Sequence, residues 1–216
     1  MKALNIIFDN LLLESGHNSL LLLDIDYTLV QAKNIYIYRN HPDDEQEVQL
    51  TPEEFAKDPI AHNKENKKYY DFREFRDPVK VAESIKTGLP IISNLSIMDS
   101  YIKNGWTIGV LTARGLEDVV DSTMRAWLKF RNHETGRLKS ASAKLARELV
   151  FAINDDSKKY EGESDFDRKA NVIKDLTTKY DRVWLIDDDK KNIDAVNEMA
   201  RKEGLQNKVK AILAKS

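Results

Sequence analysis

The chain contains no cysteine among its 216 residues. Disulfides, thiolate metal sites and cysteine nucleophiles are thereby excluded, and a reducing, cytoplasmic setting is expected. A charge imbalance is missing too. The 34 basic and 36 acidic residues leave a formal net charge of −2, so nothing global favours nucleic acid, and only a local basic patch stays open. No apolar stretch is long enough to cross a bilayer, so no membrane partner is expected. The apolar N-terminus is interrupted by Asp9, Asn10 and Glu14 and is followed by no small-residue cleavage site, so a signal peptide is not expected. The sequence holds no internal repeat, no low-complexity segment and no P-loop Gly-x-x-x-x-Gly-Lys-Ser/Thr. Its four histidines (His17, His41, His62 and His133) have no metal-ligand spacing and read as surface residues.

What remains is a composition of 41% hydrophobic and 32% charged residues, which fits a soluble globular chain with one α/β domain and an insertion. Leu4, Ile7, Phe8, Leu11 and Leu12 fall at helical spacing, predicting an amphipathic helix over Lys2–Glu14 that packs on the core. A strand is predicted over Ser19–Ile25. From about Tyr27 to Pro90 the pattern is polar and aromatic. Within it Asn34–Arg39 and Glu47–Leu50 read as a hairpin turned by His41–Gln46, Thr51-Pro52-Glu53-Glu54 as a capped helical turn, His62–Lys68 as a solvated loop and Val79–Lys86 as a helix. Thereafter helices over Ile92–Asn104, Leu116–Arg131, Asp167–Lys179 and Lys190–Glu203 alternate with strands over Thr107–Leu111, Glu148–Ile153, Arg182–Ile186 and Lys208–Leu213. Such alternation predicts a parallel sheet with helices on both faces. The expected organisation is an N-terminal helix over 1–18, a Rossmann-like α/β core from 19–30 and 90–216, and an insertion over 31–89.

The most informative segment is Leu20-Leu21-Leu22-Leu23-Asp24-Ile25-Asp26-Tyr27-Thr28. A short, bounded apolar run suits a strand covered on both faces. Ending it in two carboxylates would be costly unless they emerge at the C-terminal end of the strand, where open α/β sheets bind ligands, and hold a cation there. Two more strands end in polar groups: Val110-Leu111-Thr112-Ala113-Arg114-Gly115 and Trp184-Leu185-Ile186-Asp187-Asp188-Asp189. Asp167-Arg168-Lys169-Ala170 opens a helix between them. Taken singly, each residue has a plainer role. Asp189 reads as the N-cap of the following helix, Lys169 as a solvated lysine, and the run from Arg125 to Arg147 as a solvated basic face.

Taken in order, these segments resemble the haloacid dehalogenase superfamily, whose pattern is DxDxT after strand one, a strand ending in Thr or Ser, a lysine, and an acidic pair or GDxxxD after a late strand. The resemblance covers roughly 19–30 and 90–213. It implies an Mg²⁺-dependent phosphatase acting through an aspartyl-phosphate. Asp24 would be the nucleophile and Asp26 the general acid and base. Thr112, with the backbone N–H groups of Ile25 and Ala113, would bind the phosphoryl group, and Lys169 would neutralise charge. Asp24, the Asp26 carbonyl and Asp188 would hold Mg²⁺. The acidic triplet permits two registers. Both include Asp188, and Asp187 is either a second ligand or an outer partner. Arg114 either contacts substrate or pairs with a surface acid.

The insertion sits where members of this superfamily carry a C1-type cap or flap. Its candidate substrate contacts are Tyr36, Tyr38, Arg39, Tyr69, Tyr70, Phe72, Arg73, Phe75 and Arg76, and an equal alternative makes them a small satellite core. The stretch Lys68–Asp77 is similar to segments of uncharacterised bacteriophage proteins of this type, and the DxDxT and Leu-Thr-x-Arg pieces are similar to polynucleotide 3′-phosphatase domains. The implied partner is a phosphorylated small molecule or a nucleic-acid end. Tyr27 departs from the family pattern, which has Gly or Asn there. The alternative function is a binding or regulatory module that keeps the fold without turnover.

Overall fold

A computed structural model describes residues 18–61, 63–135, 145–157 and 160–215. The helix predicted over Lys2–Glu14 lies outside the described residues. The four leucines Leu20–Leu23 have no solvent exposure, because their strand, β1 (Ser19–Leu23), lies in the middle of a sheet. It is flanked by β7 (Thr107–Thr112) and β9 (Arg182–Asp187), outside which lie β8 (Leu145–Ala152) and β10 (Val209–Leu213). The order is β10-β9-β1-β7-β8 and every pairing is parallel. Leu21 stands level with Ile108 on one side and Trp184 on the other.

Period-two alternation along β1 sends its leucines into two different layers. Leu21 and Leu23 pack with buried residues of α2 (Pro78–Thr87), α3 (Ile92–Lys103) and α4 (Glu117–Thr135). Leu20 and Leu22 pack with α5 (Asp165–Leu176) and α6 (Lys190–Lys202). This is the predicted α/β architecture with a parallel sheet, of Rossmann-like form. Among the described residues, no helix is long and apolar enough to cross a membrane. Gly109 on β7 is required by close packing, since a Cβ there would lie 2.7 Å from the Leu149 carbonyl and 2.8 Å from Leu22.

Boundaries differ from the predicted ones for local reasons. β1 stops at Leu23 because the Ile25 carbonyl accepts N–H bonds from Thr28, Leu29 and Val30, closing a tight turn. α5 starts two residues early because the Ser164 hydroxyl accepts the Asp167 N–H and in turn donates to the Asp167 carboxylate. Thr51 and Glu54 form the expected reciprocal cap of α1 (Pro52–Lys57), and Asp77 caps α2.

The insertion is closed at its base by β2 (Val30–Gln31) pairing antiparallel with β6 (Leu89–Pro90). The predicted hairpin forms from β3 (Ile37–Arg39) and β4 (Val48–Leu50), with Ile37 opposite Leu50. β3 also pairs with β5 (Tyr70–Asp71), a strand too short for sequence periodicity to register. Where the loop His62–Lys68 is predicted, Lys64–Tyr69 forms a 3₁₀ helix that runs one residue past it, opened by the Asn63 side chain accepting the Glu65 N–H. α2 departs from the expected division at 89. Val81 and Ile85 are fully buried in the main core, so this helix belongs to the layer that covers the sheet.

Candidate active site

Because β1 is flanked by β9 and β7, residues far apart in sequence meet at one end of the sheet. Asp24 follows β1, Thr112 ends β7, Asp187 ends β9, and Lys169 reaches in from the first turns of α5. All four are buried. The Lys169 ammonium donates to Asp24 Oδ1 at 2.9 Å and to Asp187 Oδ2 at 2.7 Å. A lysine buried to this degree is tolerable only because two carboxylates meet it.

The structure settles the geometry of the acidic triplet. Both Asp187 oxygens are engaged: Oδ2 accepts from Lys169, and Oδ1 accepts from Asn192 Nδ2 and the Asp189 N–H, both at 2.9 Å. In this arrangement Asp187 orients Lys169 and the start of α6. Asp188 faces the cleft with the Thr28 hydroxyl 3.3 Å from its Oδ1. Asp189 is the N-cap of α6, accepting the Lys191 N–H at 2.8 Å, as its position before the helix predicts.

Arg114 is only 2% exposed and neither contacts the open cleft with a free guanidinium nor pairs with a surface acid. Its Nε and Nη2 donate to the two Asp26 oxygens, each at 2.8 Å, and its Nη1 donates to Ser84 Oγ at 2.9 Å. This bidentate clamp spans 88 positions of sequence and ties Asp26 to α2. In this arrangement Arg114 positions the Asp26 carboxylate while lining the cleft. Asn154 supports the same loop, donating to the Ala113 carbonyl at 2.7 Å. Among the described residues, neither the Ile25 nor the Ala113 backbone N–H donates to a protein acceptor, so both remain for a ligand.

The electrostatics have one cause. Burial pushes the Asp24 carboxyl up to about 8; Lys169 pulls it back, and the charges of Asp187, Asp26 and Asp188 add to the rise. Burial and Asp187 raise Asp188 to about 6. Burial opposes the charge on Lys169, but Asp24 and Asp187 outweigh it and hold the ammonium well above its ordinary value. Burial is the larger cause for both carboxylates and the neighbouring acids add to it; with all groups ionised, Asp24, Asp26, Asp187 and Asp188 against Lys169 and Arg114 would leave two negative charges unbalanced. That deficit, with hard oxygen donors from Asp24, the Asp26 carbonyl and Asp188, fits a hydrated divalent cation such as Mg²⁺. Among the described residues no three acidic or histidine side chains form a metal-ligating group, so water would complete such a shell.

The insertion presents only some of the residues expected of it. Tyr36, Tyr38 and Arg39 are absent from the lining of the cleft. Arg39 is clamped by Asp44 at 2.8 and 2.9 Å and by Asp58 at 2.6 Å. The Tyr38 hydroxyl donates to Glu74, and its ring lies under Arg73, 3.6 Å from ring centre to guanidinium carbon. The Tyr36 N–H also donates to Glu74. These residues hold the small sheet together. Ile37 lines the cleft, together with Tyr70, Phe72, Phe75 and Arg76, which were expected there, and Phe55, which was not. Phe55 was missed because it lies in a helix of six residues, too short to show a face.

Tyr27 lines the cleft with a φ of 55°, a left-handed conformation that explains why Gly or Asn suits this turn. No protein-family model matches the chain, and no curated protein matches it.

Proposed function

We propose that this chain is an Mg²⁺-dependent phosphomonoester hydrolase working through an aspartyl-phosphate. One observation carries the reading: a nucleophile-type aspartate, buried at the end of the central strand, is held by a buried lysine 2.9 Å away and flanked by Thr112 and Asp188 from the two neighbouring strands. An isolated structural aspartate has no need of such surroundings.

In this reading an Asp24 oxygen attacks phosphorus, the Asp24–phosphorus bond forms, and the bond to the leaving oxygen breaks. Asp26 gives a proton to that oxygen, then accepts one from the water that cleaves the aspartyl-phosphate, which returns Asp24 and releases phosphate. Arg114 aims the Asp26 carboxyl by holding both of its oxygens. Thr112 and the Ile25 and Ala113 N–H groups offer donors to the phosphoryl oxygens. Lys169 balances the charge on Asp24 as it becomes an ester. Mg²⁺ held by Asp24, the Asp26 carbonyl and Asp188 would supply neutralisation of the phosphoryl charge.

The test is hydrolysis of an aryl phosphate with and without Mg²⁺ by the wild type and by Asp24→Asn. Asn keeps the shape and removes the attacking charge, so turnover should fall by at least about 10³-fold while the unfolding transition is retained. Near wild-type hydrolysis by a folded Asp24→Asn protein would refute the mechanism. Absence of metal-dependent hydrolysis in the wild type would favour the binding-module alternative.

A further inference from the structure

The cleft in front of Asp24 has a volume of about 1930 Å³ and two unlike walls. The wall from the insertion is aromatic. Phe55 meets Tyr70 and Phe72 edge-on, with centroids 5.1 and 5.4 Å apart, and Phe72 meets Phe75 at 6.1 Å. The phenylalanine rings brace one another, yet all three remain only half-buried along the cleft. The wall from the core is acidic, carrying Asp155, Asp156, Glu161 and Asp165 beyond the catalytic carboxylates.

Over the whole lining, ten acidic side chains face six basic ones. Four of the six are engaged: Lys169 and Arg114 with the catalytic acids, Arg168 with Asn154 and Asp165, and Lys190 with Asp194. Among the described residues, Arg76 and Lys191 are the cations of the lining whose side chains have no hydrogen-bond or ion-pair partner. A divalent cation offsets two of the excess charges, and the transferring phosphoryl group restores them. Any further phosphate on the leaving group would enter an acid-lined, partly enclosed space within a Debye length of about 8–10 Å, where screening is incomplete. A flat uncharged ring would instead lie against the aromatic wall, where stacking is favourable whatever the ring's substituents.

We infer that the substrate is a compact phosphomonoester with a flat, uncharged aromatic leaving group, of the nucleoside monophosphate class, and not the phosphorylated end of a nucleic-acid chain. This rests on the hydrolase reading above and narrows it. The chemistry is phosphoryl transfer to water as already written; the walls decide only which leaving group reaches it.

The experiment compares kcat/KM for a purine nucleoside 5′-monophosphate, its 3′,5′-bisphosphate, ribose 5-phosphate and a 3′-phosphorylated decanucleotide at low and high salt. The monophosphate should exceed ribose 5-phosphate by at least about tenfold through ring stacking. It should exceed the bisphosphate by about tenfold at low salt, with the gap narrowing as salt rises. Phe72→Leu keeps an apolar side chain and should lower the preference for the nucleoside over ribose 5-phosphate. Glu161→Lys, on the exposed rim, should raise the bisphosphate-to-monophosphate ratio several-fold. A decanucleotide or bisphosphate cleaved faster than the monophosphate at low salt would overturn the inference while leaving the hydrolase reading intact. So would a Phe72→Leu variant that loses both substrates equally. Calorimetric binding to Asp24→Asn separates the two ideas. If the wild type cleaves nothing but Asp24→Asn binds the nucleoside monophosphate in preference to ribose 5-phosphate, the hydrolase reading falls and the ligand inference stands. Equal or no binding of both overturns it.

Discussion

Replacing Lys169 with methionine removes one charge from between two buried carboxylates and leaves a side chain of similar length. Lys169 is 1% exposed, and its two contacts to Asp24 and Asp187 are 2.9 and 2.7 Å. Breaking a buried ion pair from one side costs about 3–5 kcal/mol, because the partner charge stays behind without solvent. For a urea slope of roughly 2–3 kcal/mol/M this is a midpoint shift of about 1–2.5 M. The cost should depend on pH with a definite sign. Asp24 is already raised to about 8, and losing Lys169 raises it further. A carboxyl whose folded-state value lies above the unfolded value of about 3.9 favours its neutral form in the fold, so stability declines as pH rises through that interval. The penalty should therefore be smaller at pH 5 than at pH 8. Adding Asp187→Asn to Lys169→Met removes one stranded charge while its amide oxygen still accepts from Asn192 and the Asp189 N–H. The double variant should recover about half of the lost stability and none of the turnover. Urea unfolding without divalent cations checks this. A single variant less than about 1 kcal/mol below wild type at pH 8, or no recovery in the double variant, would refute the claim that Lys169 neutralises this pair.

Two other outcomes are expected. Asp188→Asn should weaken Mg²⁺ dependence and turnover together, whereas Asp187→Asn, whose oxygens are already occupied, should destabilise the fold with a smaller effect on the Mg²⁺ midpoint of a titration; equal effects on that midpoint would return Asp187 to the metal. In the insertion, burial raises the Asp58 carboxyl, but hydrogen bonds from the Ile60 N–H, the Tyr70 hydroxyl and Arg39 outweigh it and hold it below its ordinary value. Its contribution is present above the unfolded carboxylate value of about 3.9 and lost as pH falls toward the folded one, so Asp58→Asn should flatten acid unfolding below about pH 4, read by circular dichroism.

Features legible from the residues alone were those set by neighbours a few positions apart. The leucine run of β1, the cap of Thr51 and Glu54, the Asp189 cap and the spacing of α6 all arise from interactions between residues separated by one to four positions, and sequence order displays such separations directly. The polar ends of three strands were visible for the same reason, together with the principle that parallel sheets bind ligands at that end. Side-chain partners across long separations were not legible in the local pattern, and the approach of Lys169 to Asp24 was expected only from the family resemblance. Arg114 and Asp26 lie 88 positions apart, and Lys169 and Asp24 lie 145 apart. Only the order β10-β9-β1-β7-β8 brings them together, and no local periodicity encodes which strands are neighbours. The face of β3 was invisible too. Alternation distinguishes Tyr36 and Tyr38 from Ile37 and Arg39 but does not say which side chains meet the cleft; Glu74 holds the Tyr38 hydroxyl and the Tyr36 N–H, Asp44 and Asp58 hold Arg39, and Ile37 is left to the cleft. The sequence by itself determined the elements and the chemistry available at their ends. The tertiary structure decided which of those groups face one another, because burial strengthens and selects charge pairs only after the chain has closed around them.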